Sequence, residues 1–308
     1  MKKIFFLGEC MVELKAISDS TLNQSFAGDV YNSAVYLKRC FSSLECGVVS
    51  AIGTDALSIK MRQRFVEEGL ATQLVFTHAN KVPGIYYIET DEQGERSFTY
   101  WRHDSAARKV VDFFNPSVEE ELASADMLFI SGISLAVIEP ASRDLFWQIV
   151  QRIKKAGVKI VFDPNYRARL WQSEQETKGQ YTIAFELADI CLPGIEDLTT
   201  LYELHSAQAV MDYLAQFNIS EVVVKNGPSS VFTKINGQLF EHQITPVTHV
   251  VDTTSAGDAF NGAYLGARMA GMDEHKAVQL AAKAAAVVIQ QPGAITPKEH
   301  FVKAMQST

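Results

Sequence analysis

Cysteine is scarce in this sequence: four residues in 308, at Cys10, Cys40, Cys46 and Cys191, with no pair in Cys-x-x-Cys spacing. That excludes a disulfide scaffold and a structural zinc site, and predicts reduced thiols in a cytoplasmic protein. No apolar run reaches the roughly 20 residues of a membrane span. The opening run, MKKIFFLGEC, is interrupted by Glu9 and then Glu13, so Lys3 to Gly8 reads as a buried strand rather than a targeting segment. Blocks of like charge are missing and the net charge is −8, which excludes a nucleic-acid surface. Several catalytic signatures are absent as well: no G-x-x-x-x-G-K-[ST], no kinase H-R-D or D-F-G, no G-x-S-x-G and no H-E-x-x-H. P-loop, protein-kinase, hydrolase and zinc-protease readings lose their support.

What is present alternates. KIFFLG, CGVVSAIGTD (46–55), DMLFISG (126–132), VKIVFDPN (158–165), ADICLP (188–193) and EVVVKNG (221–227) read as short strands. Between them lie helix patterns in 26–40, 58–70, 117–123, 142–156, 174–187, 195–204 and 206–216, with 257–270 and 273–290 closing the chain. Strand, turn and helix in succession predict a layered α/β fold. The alternation breaks at 82–102, where VPGIYYIET, DEQGE and RSFTYWR form an aromatic hairpin pattern. A second hairpin turns at Asn236-Gly237. With no repeat and no long linker, residues 1–308 are expected to form one domain carrying a small β insertion.

The chemistry collects in Asp252-Thr-Thr-Ser-Ala-Gly-Asp258. Polar helix-start residues, a small Ala256-Gly257 pair and a carboxylate precede a helix stopped by Gly271. A helix start leaves backbone N–H groups without partners, and with the helix dipole these form an anion site. Gly257 lets an anion approach closely, and Asp258 beside it is suited to take a proton from a hydroxyl attacking a phosphoryl group. An ordinary capped helix with an N-terminal Asp is the plain alternative. Ligands in doubly wound sheets sit at the carboxyl ends of strands. The residues following the predicted strands there are Glu9 and Glu13, Gly28-Asp29 and Asn32, Arg102, Asp163, Asn165 and Arg167, and Lys225-Asn226-Gly227.

DTTSAGDAFNGAYL resembles the C-terminal signature of the PfkB (ribokinase-like) carbohydrate kinases. GECMVEL, FAGDVYNSAVYLKR, GTD, GIYYIETDEQGERSFTYWR, SGISLA, FDPNYRARLW, VVVKNG and GAITP extend the likeness over essentially the whole chain, toward the branch acting on 2-keto-3-deoxygluconate. The resemblance implies a ribokinase-like three-layer α/β sandwich. A small β-sheet lid would come mainly from 82–102 with part of 10–27, and leaves room for a homodimer through that lid. It also implies ATP- and Mg2+-dependent phosphorylation of the 6-hydroxyl of 2-dehydro-3-deoxy-D-gluconate.

Carried over position by position, the resemblance makes Asp258 the catalytic base and the amides of Ala256, Gly257 and Asp258 the anion hole. Gly28, Asp29, Asn32, Tyr87, Tyr100, Arg102 and Arg167 become sugar-acid contacts. Asn165, Arg167, Lys225, Asn226, Gly227, Ser255, Ala256 and Gly257 become ATP contacts. Arg102 could clamp a carboxylate with two parallel bonds; Arg167 and Arg169 compete for the second arginine role. Packing, a tight turn or a surface ion pair are the plainer readings of each. Two stretches depart from the family: Pro228-Ser229-Ser230 replaces a glycine-rich nucleotide loop, and Gly194-Ile-Glu-Asp197 replaces Asn-x-x-Glu. No direct metal ligand is expected; Glu196 or Asp197 would act on Mg2+ through water. Some relatives hold a monovalent cation near the positions of Asp252 and Thr254, and the residue types leave it open here. A neutral-sugar kinase of the fructokinase or ribokinase type, and a non-catalytic sugar sensor, are the competing readings.

Overall fold

The chain was analysed as a computed structural model, which describes residues 1–18, 20–90 and 96–307. In chain order the strands are β1 (Lys3–Leu7), β2 (Met11–Ser18), β3 (Thr21–Ala27), β4 (Glu45–Ile52), β5 (Val75–Thr77), β6 (Ile85–Thr90), β7 (Arg96–Trp101), β8 (Met127–Ser131), β9 (Lys159–Asp163), β10 (Ile190–Cys191), β11 (Glu221–Asn226), β12 (Ser230–Ile235) and β13 (Gln238–Gln243). The helices are α1 (Asp29–Cys40), α2 (Ala56–Glu67), α3 (Pro116–Ala123), α4 (Gly132–Val137), α5 (Arg143–Lys155), α6 (Glu174–Leu187), α7 (Ile195–Tyr202), α8 (Ala207–Leu214), α9 (Ala256–Met269), α10 (Glu274–Ile289) and α11 (Lys298–Gln306).

Nine strands form the large sheet in the order β13-β12-β11-β10-β9-β8-β1-β4-β5. From β11 through β5 the pairings are parallel; β12 and β13 add antiparallel strands at one edge. A parallel strand covered on both faces reads as a continuous apolar run, which is why KIFFL and MLFIS sit at its centre. Side chains of a strand alternate between faces, and β1 shows where each face goes. Ile4 and Phe6 join Tyr36, Tyr264, Val288 and Phe301 of α1, α9, α10 and α11. Phe5 and Leu7 join Leu122, Phe146, Phe185 and Leu214 of α3, α5, α6 and α8. The sandwich therefore has three layers, helix–sheet–helix.

A separate four-stranded sheet has the order β3-β2-β6-β7. It takes Met11–Ala27 as well as the 82–102 segment, and the DEQGE turn at 91–95 lies outside the described residues. Asn236 and Gly237 both have positive φ, 49° and 83°, as a two-residue primed hairpin turn requires. Some elements escaped the sequence pattern, β5 among them, and one predicted strand is shorter than expected. The last helix is α11, not α10; it buries only Phe301, too little periodicity to stand out. The short α4 follows β8 directly, and ADICLP contributes a ladder of only Ile190–Cys191.

Candidate active site

The carboxyl ends of β1, β8, β9 and β11 lie on one edge of the sheet because these strands run parallel. Strand order reverses at β1, the place where ligands enter such sheets. α9 crosses this edge. Ser255 caps it with a left-handed backbone (φ 66°), so the chain doubles back and presents the first amides of α9 to the cleft. A β-carbon added to Gly257 would meet only Lys225 Nζ, at 3.9 Å. The space above these amides is open and has an ammonium group on its far side, which suits an anionic ligand.

Asp258 stands in the first turn of α9. Asn32 Nδ2 donates to its Oδ2 at 2.8 Å, and the Asn32 amide is oriented by the Gly28 N–H, which donates to Oδ1 at 3.3 Å. Burial, then the negative charge of Asp29, push Asp258 up to about 7, against the Asn32 bond that favours its charged form. Asp29, raised chiefly by burial, accepts from Asn165 Nδ2 at 2.9 Å. Asn165 is held with φ 34°, in a region that Asn tolerates better than most residues. Gly28 has a packing reason for lacking a side chain: a β-carbon there would lie 2.4 Å from the Glu9 carbonyl oxygen.

A second group of bonds lies beside the first. Lys225 Nζ approaches both Asp163 oxygens at 3.5 Å and donates to Asn261 Oδ1 at 3.1 Å. Asn261 Nδ2 donates to Asp163 Oδ2 at 2.7 Å. Asn261, fully buried on α9, was not singled out from sequence; its place one turn after Asp258 was the available signal. Asn226 bonds Ser230 within its own hairpin at 3.0 Å, and Gly227 turns that hairpin with φ 57°. Arg167 Nη1 pairs with Asp197 Oδ1 at 3.1 Å. Burial, then Asp163, raise Asp197 to about 6, while Arg167 and Lys225 oppose them. Of the two acids considered, Asp197 is thus the one tied to this site; Glu196 is exposed.

In the small sheet the register separates two of the expected contacts. Tyr100 lies opposite Tyr86, stacked at 5.7 Å, whereas Tyr87 lies opposite Leu14 and Thr99. Neighbours along a strand face opposite sides, so Tyr87 and Tyr100 do not share a face. Tyr86 is Tyr100's partner, and its hydroxyl donates to Glu13, which also accepts from Ser25. Arg169 lies over the Tyr100 ring at 4.0 Å. The two competing arginines therefore part company, Arg167 beside Asp197 and Arg169 against the small sheet. Arg102 pairs with buried Glu9 at 2.5 Å.

An acid near neutrality facing open helix amides, with a lysine beyond them, is the equipment of a phosphotransferase acting on a hydroxyl. The chain belongs to the pfkB family of carbohydrate kinases, whose sequence profile matches residues 1–300. It is similar to the 2-dehydro-3-deoxygluconokinase of Dickeya dadantii, 38% identical over 304 residues that cover 97% of this chain and 98% of that one. It is also similar to a fructokinase from Vibrio alginolyticus, at 30% identity over 96% and 95% of the two chains. A fructokinase from Xylella fastidiosa solved with bound ATP shares the fold, with a TM-score of 0.84 over 99% of each chain at 21% identity.

Proposed function

We propose that the protein transfers the γ-phosphoryl group of ATP to the 6-hydroxyl of 2-dehydro-3-deoxy-D-gluconate. The greater identity to the gluconokinase than to the fructokinase, over nearly the full length of each, carries the choice of substrate. Asp258 is the base: a carboxylate titrating at about 7 is matched to taking a proton from an alcohol near neutral pH. The hydroxyl oxygen attacks the γ-phosphorus, the bond to the β-phosphate oxygen breaks, and ADP leaves with the electron pair. The amides of Ala256, Gly257 and Asp258 receive the charge on the transferred group. Lys225 and Arg167, with Asn165, Asn226, Gly227 and Ser255 around them, bind the nucleotide; Gly28, Asp29, Asn32, Tyr100 and Arg102 bind the sugar acid.

Mg2+, carried on the phosphates, would offset their negative charge, with Asp197 reaching it through water. Asp197, paired with Arg167 at 3.1 Å, offers an oxygen donor of the kind such an ion takes. In this reading residues 1–308 are one kinase domain and the small sheet is its lid. The lid's outer strand, β7, exposes Phe98 and Trp101, a surface suited to a second copy of the chain. Four unpaired cysteines suit the cytoplasm.

A neutral-sugar kinase is the second reading, favoured by the fructokinase relative. An ADP-release assay with 2-keto-3-deoxygluconate, fructose and ribose separates the two. Comparable turnover on a neutral sugar, with little on the keto acid, would sink the acid assignment.

A further inference from the structure

Just beyond β1 lies a buried charge pair, of which the reaction as described uses Arg102 and leaves Glu9 without a role. Arg102 Nη2 stands 2.5 Å from Glu9 Oε2, with the side chains 10% and 1% exposed. Among the described residues, both Glu9 oxygens, and Nε and Nη2 of Arg102, are buried without a well-aligned hydrogen bond, whereas a bidentate fork would have satisfied them. Gly84 makes room for the pair: a β-carbon there would lie 2.6 Å from Glu9 Oε1 and 3.0 Å from Arg102 Cβ. On its other side the Glu9 backbone abuts Gly28, at the start of the helix whose Asn32 holds Asp258. The pair thus bridges the end of the lid strand β7 and the helix start beside the catalytic acid.

We propose that Glu9 is a positioning residue that sets substrate specificity. In the ligand-free protein its carboxylate stands in for the substrate's, holding the Arg102 guanidinium in place, and a sugar acid takes that guanidinium over on binding. This rests on the sugar-acid reading above. A buried guanidinium needs a counter-charge at all times. A contact lacking directed bonds is the one that a well-aligned carboxylate can displace, because only a difference in interaction drives an exchange. A neutral sugar offers no anion and leaves the pair closed, so Glu9 sets the threshold an entering ligand must meet.

The test compares the wild type with Glu9→Gln, which keeps the side-chain shape and removes the charge. The free variant is expected to melt below the wild type. Saturating 2-keto-3-deoxygluconate should then raise its melting temperature by more than it raises that of the wild type. The KM for the keto acid should fall on the order of tenfold, with the KM for ATP and the response to fructose unchanged. A purely structural strut would lower the melting temperature but leave the ligand-induced shift and the KM at wild-type values, and that result overturns the proposal. If the Gln variant does not fold, Glu9→Asp, which draws the charge back by one methylene, should give the same changes at smaller size, and wild-type values there overturn it too. A wild type that neither turns over nor is stabilised by the keto acid refutes the sugar-acid reading itself. A responsive wild type with unresponsive variants refutes only the role of Glu9.

Discussion

Replacing Asp258 with Asn should separate catalysis from stability in opposite directions. The substitution keeps an oxygen to accept from Asn32, which now approaches Asp258 at 2.8 Å, so the local geometry has no reason to collapse. Loss of a positioned base costs on the order of 10³-fold in kcat, about 4 kcal/mol of barrier. Stability should rise. The folded acid titrates at about 7 against an ordinary value of 3.8, so the fold favours its protonated form. A displacement of that size is worth about 4 kcal/mol at full burial; the carboxylate is partly open to the cleft, and screening reduces this to roughly 1–2 kcal/mol.

The sign follows from the direction of the displacement. A raised acid contributes stability that is complete below its unfolded value of 3.8 and is lost as pH passes through about 7. At about pH 8 the wild type therefore carries the unfavourable charge and the Asn variant does not. Chemical denaturation of both proteins at about pH 8 and at about pH 5 should show a stabilisation that shrinks on acidification. Wild-type activity should climb with pH through about 7 as the base deprotonates. Near-normal turnover in the variant, or a variant less stable than its parent at the higher pH, would refute the reasoning.

Three further outcomes follow from the same geometry. Gly257→Ala should fold normally, since its β-carbon meets nothing nearer than Lys225 Nζ at 3.9 Å. It should nevertheless raise the KM for ATP and depress kcat, because the methyl group occupies the anion's place; unchanged steady-state kinetics would remove the helix amides from the phosphate site. Lys225→Met strands Asp163, 4% exposed, without its cation. Denaturant melts should show a loss of about 3 kcal/mol alongside a higher KM for ATP, and a variant that matches the wild type in both would show that the lysine does neither job. Arg102→Ala should raise the KM for the keto acid more than that for ATP; an unchanged keto-acid KM would move the carboxylate contact to Arg169 or Arg167.

Much of the fold was legible because burial imposes periodicity. KIFFL and MLFIS are apolar throughout because both their faces are covered, and α1 announced itself through Val30, Ala34, Val35 and Leu37, all buried. The DTTSAGD stretch was legible for a local reason: a helix start and its acid are made within a few residues. α11 was not, because one buried Phe301 leaves no pattern to read.

What the sequence determined by itself was the reaction: the acid, the small pair beside it and the helix that follows are encoded in one continuous segment. Tertiary structure alone decided which residues stand around that segment. Tyr86 rather than Tyr87 faces Tyr100 because a strand's register, fixed by its partners across the sheet, chooses the face for every side chain. Arg167 and Arg169, two positions apart, go to Asp197 and to the small sheet respectively. Arg102 is held by Glu9, and Asp258 reaches about 7 because packing buries it and then brings in the charge of Asp29 from α1. These partners lie from 14 to 229 positions apart in the chain, and only packing brings them within reach of one another.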